Sequence, residues 1–202
     1  MLRLFGCQTE ALPTLENLLS ALPAQWIAAW ETRHSYKNTA TATQSLAGLW
    51  LLAQAGEVGE LCYGERAKPT LNDPHVDFSI THTEGLVLCA VARGESPRVG
   101  VDAESRIRIE SLPMERLCAR WFTDAEQAQF QAAPTAEQFA RIWTRKEALV
   151  KYFGTGLSEL HTADTVAAEA LGLYFTEYRT GDVLASLCHR AGETSPIGIE
   201  FC

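Results

Sequence analysis

The order of its elements constrains this chain most. Segment ATATQSLAGLWLLAQA (40–55) places Leu46, Leu49, Trp50 and Ala53 at helical spacing and stops before Gly56, which predicts a buried helix. Three short runs follow: HVDFSIT (75–81), LVLCAVA (86–92) and RVGVDAE (98–104). Separated by HTEG and RGESP, they predict an antiparallel meander. Thr123 with Glu126, then Thr135 with Gln138, have the spacing at which a Thr and a Glu or Gln exchange bonds with the backbone to open a helix. The second of these helices is predicted to run to Phe153 and stop at Gly154. TVAAEAL, LYFTEYR, DVLASLCH and PIGIEF then read as another set of strands. Helix followed by strands thus occurs twice, on either side of about residue 98. The expected fold is α+β: two similar subdomains packed as a pseudo-dimer, residues 1–98 and 99–202, each a small, mainly antiparallel sheet with a long helix on it.

Composition bounds the function classes. With 202 residues and 47% hydrophobic side chains, the chain can bury a core without disulfides or metal. Its 17 basic and 25 acidic residues give a net charge of -8, and neither half is basic, which excludes a general nucleic-acid binder. Six cysteines without a CxxC pair read as reduced, mostly buried thiols. No apolar run approaches the roughly 20 residues that span a bilayer. The first residues lack a secretory pattern, so cytoplasmic residence is expected.

Candidate chemistry begins in RVGVDAE. Alternation along a strand places Val99, Val101 and Ala103 on one face and Asp102 and Glu104 on the other, the two acids about 6–7 Å apart. Such a pair suits Mg²⁺, which takes one or two carboxylates and completes its shell with phosphate and water; solvated acids at an exposed strand end are the plainer alternative. WTRKEALVK (143–151) adds Glu147 and Lys151 at i,i+4, either a surface ion pair or an acid for a metal beside a cation for a phosphate. Of only four lysines in the chain, two, Lys146 and Lys151, sit in this helix. In an antiparallel meander the first and third strands run the same way, so Thr81 and His82 emerge beside Asp102 and Glu104.

These residues resemble those of the 4′-phosphopantetheinyl transferases, in particular the longer class that acts as a monomer of two similar halves. The resemblance rests on KP (68–69), FSITHT (78–83), VGVDAE (99–104), WFTDAE (121–126) and WTRKEALVKYFGTGL (143–157), in that order. It implies transfer of the phosphopantetheine arm of coenzyme A to a serine of an acyl or peptidyl carrier protein, with release of adenosine 3′,5′-bisphosphate. By position it implies that Asp102, Glu104 and Glu147 hold Mg²⁺ or Mn²⁺ and that Lys151 holds a pyrophosphate oxygen. Thr81 and His82 would hold the 3′-phosphate, Lys68 would lie against the nucleotide, and Glu147 is also the position proposed as general base. Glu126 fits an acidic position of the family pattern and equally a capping box.

The chain departs from the pattern upstream of the first long helix, where ETRHSYKNTATATQS offers only Arg33, His34 and Lys37, of which Arg33 is the candidate for the 3′-phosphate. Arg116 and Arg120, four apart, form a candidate docking face for an acidic carrier, or simply a solvated helix face. Two other functions compete: a carrier-protein or coenzyme A-binding module with reduced or no turnover, and a metal-dependent phosphodiesterase built on the same acids.

Overall fold

The computed structural model describes residues 1–33, 39–63, 68–190 and 198–202, excluding the side chains of Arg33 and Leu157. Strand β1 (Leu2–Gln8) is followed by helices α1 (Leu15–Ala21), α2 (Ala24–Arg33) and α3 (Thr39–Gln54). A small hairpin of β2 (Leu61–Tyr63) and β3 (Pro69–Leu71) leads into β4 (Val76–Thr83) and β5 (Leu86–Arg93), which turn at Gly85 with φ of 86°. After β6 (Gly100–Ser105) come α4 (Arg106–Glu110), α5 (Met114–Trp121), α6 (Asp124–Ala132), α7 (Ala136–Phe153) and α8 (Thr165–Ala170). The hairpin of β7 (Leu173–Thr180) and β8 (Val183–Arg190) follows, and β9 (Glu200–Phe201) completes the described chain. None of the described helices is long and apolar enough to cross a membrane.

Local chemistry accounts for the helix ends. Thr123 and Glu126 form the complete reciprocal capping box of α6. Thr135 caps α7 by accepting from the Gln138 N–H, while the Gln138 side chain instead accepts from Arg141. Gly154, at φ 66°, terminates α7 in the left-handed conformation a glycine adopts without a Cβ penalty. TVAAEAL is helical: Asp164 accepts from the N–H groups of Val166 and Ala167 and opens α8, which corrects the expected strand.

Two sheets form the centre. One has the order β4-β5-β1-β9, with β9 parallel to β1 and the other pairs antiparallel; the second is β6-β8-β7, antiparallel throughout. The expected three-strand meander is therefore split. A strand has two edges, and β5 offers one to β4 and the other to β1, so β6 pairs with β8 instead. Four layers result. Leu46, Leu49 and Leu52 of α3 pack on Phe5, Phe78, Cys89 and Val91. On the opposite face of that sheet, Leu2, Leu4, Leu86 and Leu88 meet Val99, Val101, Ala185 and Leu187 of the second sheet. Beyond it lies α7, where Ala148 and Tyr152 pack against Cys188, and Phe139 and Ile142 share a cluster with Leu184.

A polar seam joins the sheets at β4 and β6. Asp77, Ser79 and Thr83, at alternate positions of β4, accept from the N–H groups of Val99, Val101 and Ser105 at 2.8, 3.1 and 3.1 Å. The matched numbering makes the strands run the same way, so β4 side chains stand in for a neighbouring strand along the outer edge of β6. The common direction expected from a meander is present, but side chains create it.

Candidate active site

Where α7 crosses β6, the crossing is set by a glycine. A Cβ on Gly100 would overlap the Ala148 carbonyl and lie 2.5 Å from the Tyr152 nitrogen. Only a residue without a side chain admits the α7 backbone here, as glycines inside strands often do. Glu147 and Lys151, flanking that contact, are thereby laid over Asp102 and Glu104.

Asp102 is 4% exposed and Glu104 5% exposed, so neither is a solvated acid at an open strand end. The Lys151 ammonium donates to Asp102 Oδ1 at 2.7 Å rather than to Glu147 one turn back on its own helix. Thr81 donates to the same oxygen at 3.0 Å. Glu104 receives Arg108 at 3.2 Å and a long bond from Thr83 at 3.4 Å. Burial, then the nearby Asp102 carboxylate, pushes the Glu104 carboxyl up to about 7. Glu147 is pushed up to about 7 by burial, by Asp102 and, more weakly, by Glu104. His82 is exposed, and crowding by surrounding chain and then the charges of Lys151 and Arg108 press its imidazole below the usual range.

The structure thus gathers Asp102, Glu104, Glu147, Lys151, Thr81 and His82. Lys68 sits apart from the acids: its ammonium joins Asp77 Oδ2 (2.7 Å) to the Val99 carbonyl (3.0 Å), and burial presses its pKa down. The Arg33 side chain, with His34 and Lys37, lies outside the described residues. Glu126 and Lys146 form a separate ion pair at 2.7 Å with both side chains fully buried. Glu126 also accepts from the Thr123 N–H and from the N–H and hydroxyl of Thr165, while Lys146 donates to the Ala163 carbonyl. That pair ties α6, α7 and the start of α8 together, so Glu126 has a structural assignment. Sequence reasoning missed Gly100 and Arg108. The first carried a signal, a glycine inside an alternating strand; the second carried none until α4 turned it back toward Glu104.

Among the described residues, no three His, Cys, Asp or Glu side chains gather closely enough to enclose an ion. Mg²⁺ does not require such a cage, since it typically keeps waters and phosphate oxygens beside one or two carboxylates. Two features fit a divalent cation. Asp102 Oδ2 is the one buried side-chain polar atom without a hydrogen-bond partner among the described residues. The crowded acids of Glu104 and Glu147, raised to about 7, are the groups a cation would return to the charged form.

An α+β scaffold that presents crowded carboxylates and a lysine at one crossing defines a site able to take a divalent cation with a phosphate. Residues 98–190 match the family model ACPS, the 4′-phosphopantetheinyl transferase superfamily. The chain is 32% identical over 124 residues to the 4′-phosphopantetheinyl transferase HetI of Nostoc sp. (strain PCC 7120), covering 58% of this chain and 50% of that protein. It is 32% identical over 99 residues to the 4′-phosphopantetheinyl transferase Sfp of Bacillus subtilis (strain 168), covering 48% and 40%. With the 4′-phosphopantetheinyl transferase AcpT of Salmonella typhimurium it shares 32% identity over 133 residues, covering 63% and 67%. The chain therefore spans half or less of the first two relatives and two thirds of the third. It belongs to the 4′-phosphopantetheinyl transferase superfamily.

Proposed function

We propose that this protein transfers the 4′-phosphopantetheine arm of coenzyme A to a serine of an acyl or peptidyl carrier protein in a Mg²⁺-dependent reaction, releasing adenosine 3′,5′-bisphosphate. The observation that carries the reading is the crossing of α7 over β6, which groups Asp102, Glu104 and Glu147 with Lys151. In the reaction a carrier serine oxygen bonds to the phosphorus that bears pantetheine, the bridging P–O bond of the pyrophosphate breaks, and the bisphosphate leaves.

Asp102, Glu104 and Glu147 would hold the cation. Bound there, it would offset charge on the pyrophosphate. Lys151 serves the same end from the protein side, its ammonium placed to neutralise an oxygen of the leaving phosphate. Glu147 would take the serine proton directly or through a water, a role secondary to its place among the metal carboxylates because a bound cation lowers a carboxylate's proton affinity. His82 and Arg33 would hold the 3′-phosphate, and Lys68 would lie against the nucleotide.

We divide the chain accordingly into a nucleotide half, 1–98, and a metal and pyrophosphate half, 99–202, packed as a pseudo-dimer within a cytoplasmic monomer. The α3-on-sheet and α7-on-sheet layers support that division. Arg116 and Arg120, both exposed on α5, are the proposed docking face for an acidic carrier.

Incubation with coenzyme A, Mg²⁺ and a panel of apo-carriers tests the proposal. The expected product is a carrier heavier by about 340 Da, the mass of the arm carried in the transfer. Coenzyme A binding with no mass gain on any carrier would leave a binding module; coenzyme A cleavage without a carrier would mean a phosphodiesterase.

A further inference from the structure

Thr81 departs from the pattern of its own strand. β4 turns Asp77, Ser79, Thr81 and Thr83 toward β6, and three of the four accept a backbone N–H of β6 or of Val99 just before it. Thr81, 5% exposed, instead donates its hydroxyl to a side chain, Asp102 Oδ1, at 3.0 Å. Lys151 donates to that same oxygen at 2.7 Å, and Oδ2 of the same carboxylate is buried with no hydrogen-bond partner among the described residues.

We propose that Thr81 is a positioning residue, which fixes the rotation of the Asp102 carboxylate so that Oδ1 is occupied and Oδ2 is presented to the divalent cation. This rests on the assignment of Asp102 as a metal carboxylate. The terminal torsion of an aspartate is broad, so the carboxylate plane is set by its hydrogen bonds. Lys151 alone fixes it poorly, because it is a flexible chain whose side chain is 26% exposed. Thr81 is β-branched, stiff at χ1 and held within a strand, which makes it the more rigid of the two donors. Its hydroxyl proton is directed at Asp102, so Thr81 acts on the cation through that carboxylate and does not act on the 3′-phosphate of coenzyme A.

The test compares wild type, Thr81→Val and Thr81→Ser, with Mn²⁺ as the probe and free Mn²⁺ followed by electron paramagnetic resonance, with and without coenzyme A. Loss of a hydrogen bond that orients a metal ligand typically costs 10–100-fold in affinity. Thr81→Val should weaken Mn²⁺ binding by about that factor, and Thr81→Ser, which keeps the hydroxyl, should stay near wild type. Thr81→Ala replaces the valine variant if the latter does not give a cooperative melt.

The second readout is the ratio of KM values for coenzyme A and 3′-dephospho-coenzyme A, which Thr81→Val should leave unchanged. Wild-type Mn²⁺ affinity in the valine variant, no Mn²⁺ binding by wild type, or collapse of the KM ratio each overturns the proposal. If wild type modifies no carrier but the Mn²⁺ pattern holds, the transferase reading fails and the positioning role stands.

Discussion

Lys151 on the last turn of α7 bonds Asp102 on β6 at 2.7 Å, passing over Glu147 on its own helix. The bond couples the two elements on which the site is built. It also gives a buried acid a cationic partner, while its second oxygen has no hydrogen-bond partner among the described residues.

Under the proposed function, Lys151 is the protein's own cation at the pyrophosphate, and Lys151→Ala removes it. Loss of one electrostatic stabiliser of a developing charge typically costs about 10²–10³ in kcat. Steady-state transfer to an apo-carrier should show a drop of that size, mainly in kcat. Asp102→Asn should reduce transfer at least as far and weaken Mn²⁺ binding as well. Full activity in either variant would remove that residue from the mechanism.

Gly100→Ala tests the helix crossing. The added methyl would meet backbone atoms of Ala148 and Tyr152, which cannot rotate away as a side chain can. Overpacking of this kind typically costs about 1–3 kcal/mol. Urea unfolding should show a midpoint lowered accordingly, with transfer activity lost beyond what stability explains, since Glu147 and Lys151 ride on the displaced helix. An unchanged midpoint would contradict the close contact.

Lys146 and Glu126 predict the opposite pattern. Removing one member of a buried ion pair leaves an uncompensated charge and typically costs about 3–5 kcal/mol. Lys146→Met should therefore destabilise strongly. The double change with Glu126→Gln should cost less than the sum of the two single changes, as a double-mutant cycle in urea would read. Mn²⁺ affinity of the folded fraction should not change, because the two side chains bond to each other, Thr123, Ala163 and Thr165 and not to Asp102, Glu104 or Glu147.

The pH dependence follows from Glu104 and Glu147, both raised to about 7 in the folded state, above their ordinary value of 4.5. A raised carboxyl contributes stability that is full below its unfolded pKa and is lost as pH rises through the folded value. In chelator, the melting temperature should fall between about pH 5 and 8, and Glu147→Gln should flatten that slope. Mg²⁺ should raise the melting temperature more at pH 8 than at pH 5, because it favours the ionised acids. An equal Mg²⁺ effect at both pH values would count against these carboxylates as ligands.

Much of the local structure was legible in the residues. Leu46, Leu49, Thr123, Thr135 and Gly154 carry short-range signals of periodicity, capping and left-handed termination, and the helices they predict are present. TVAAEAL does not show its helix in its own residues, because that helix depends on Asp164 just outside it, a cap that precedes the run. The split of the meander is not legible locally because pairing is long-range: β1 claims β5 from some 80 residues away, as Phe5 opposite Cys89 shows.

For the site, the sequence by itself determined which groups are available: alternate acids at Asp102 and Glu104, and Glu147 with Lys151 one turn apart on a helix. Periodicity places such residues on a face without knowledge of the rest of the chain. Only the tertiary structure decided their partners. It turned Lys151 to Asp102, enclosed Lys146 with Glu126, bound Lys68 to Asp77 and set Thr81 on the Asp102 carboxylate. Those choices depend on the α7 backbone resting on Gly100 and on β4 side chains bonding to the edge of β6. Both are contacts between elements distant in sequence, where local pattern carries no information.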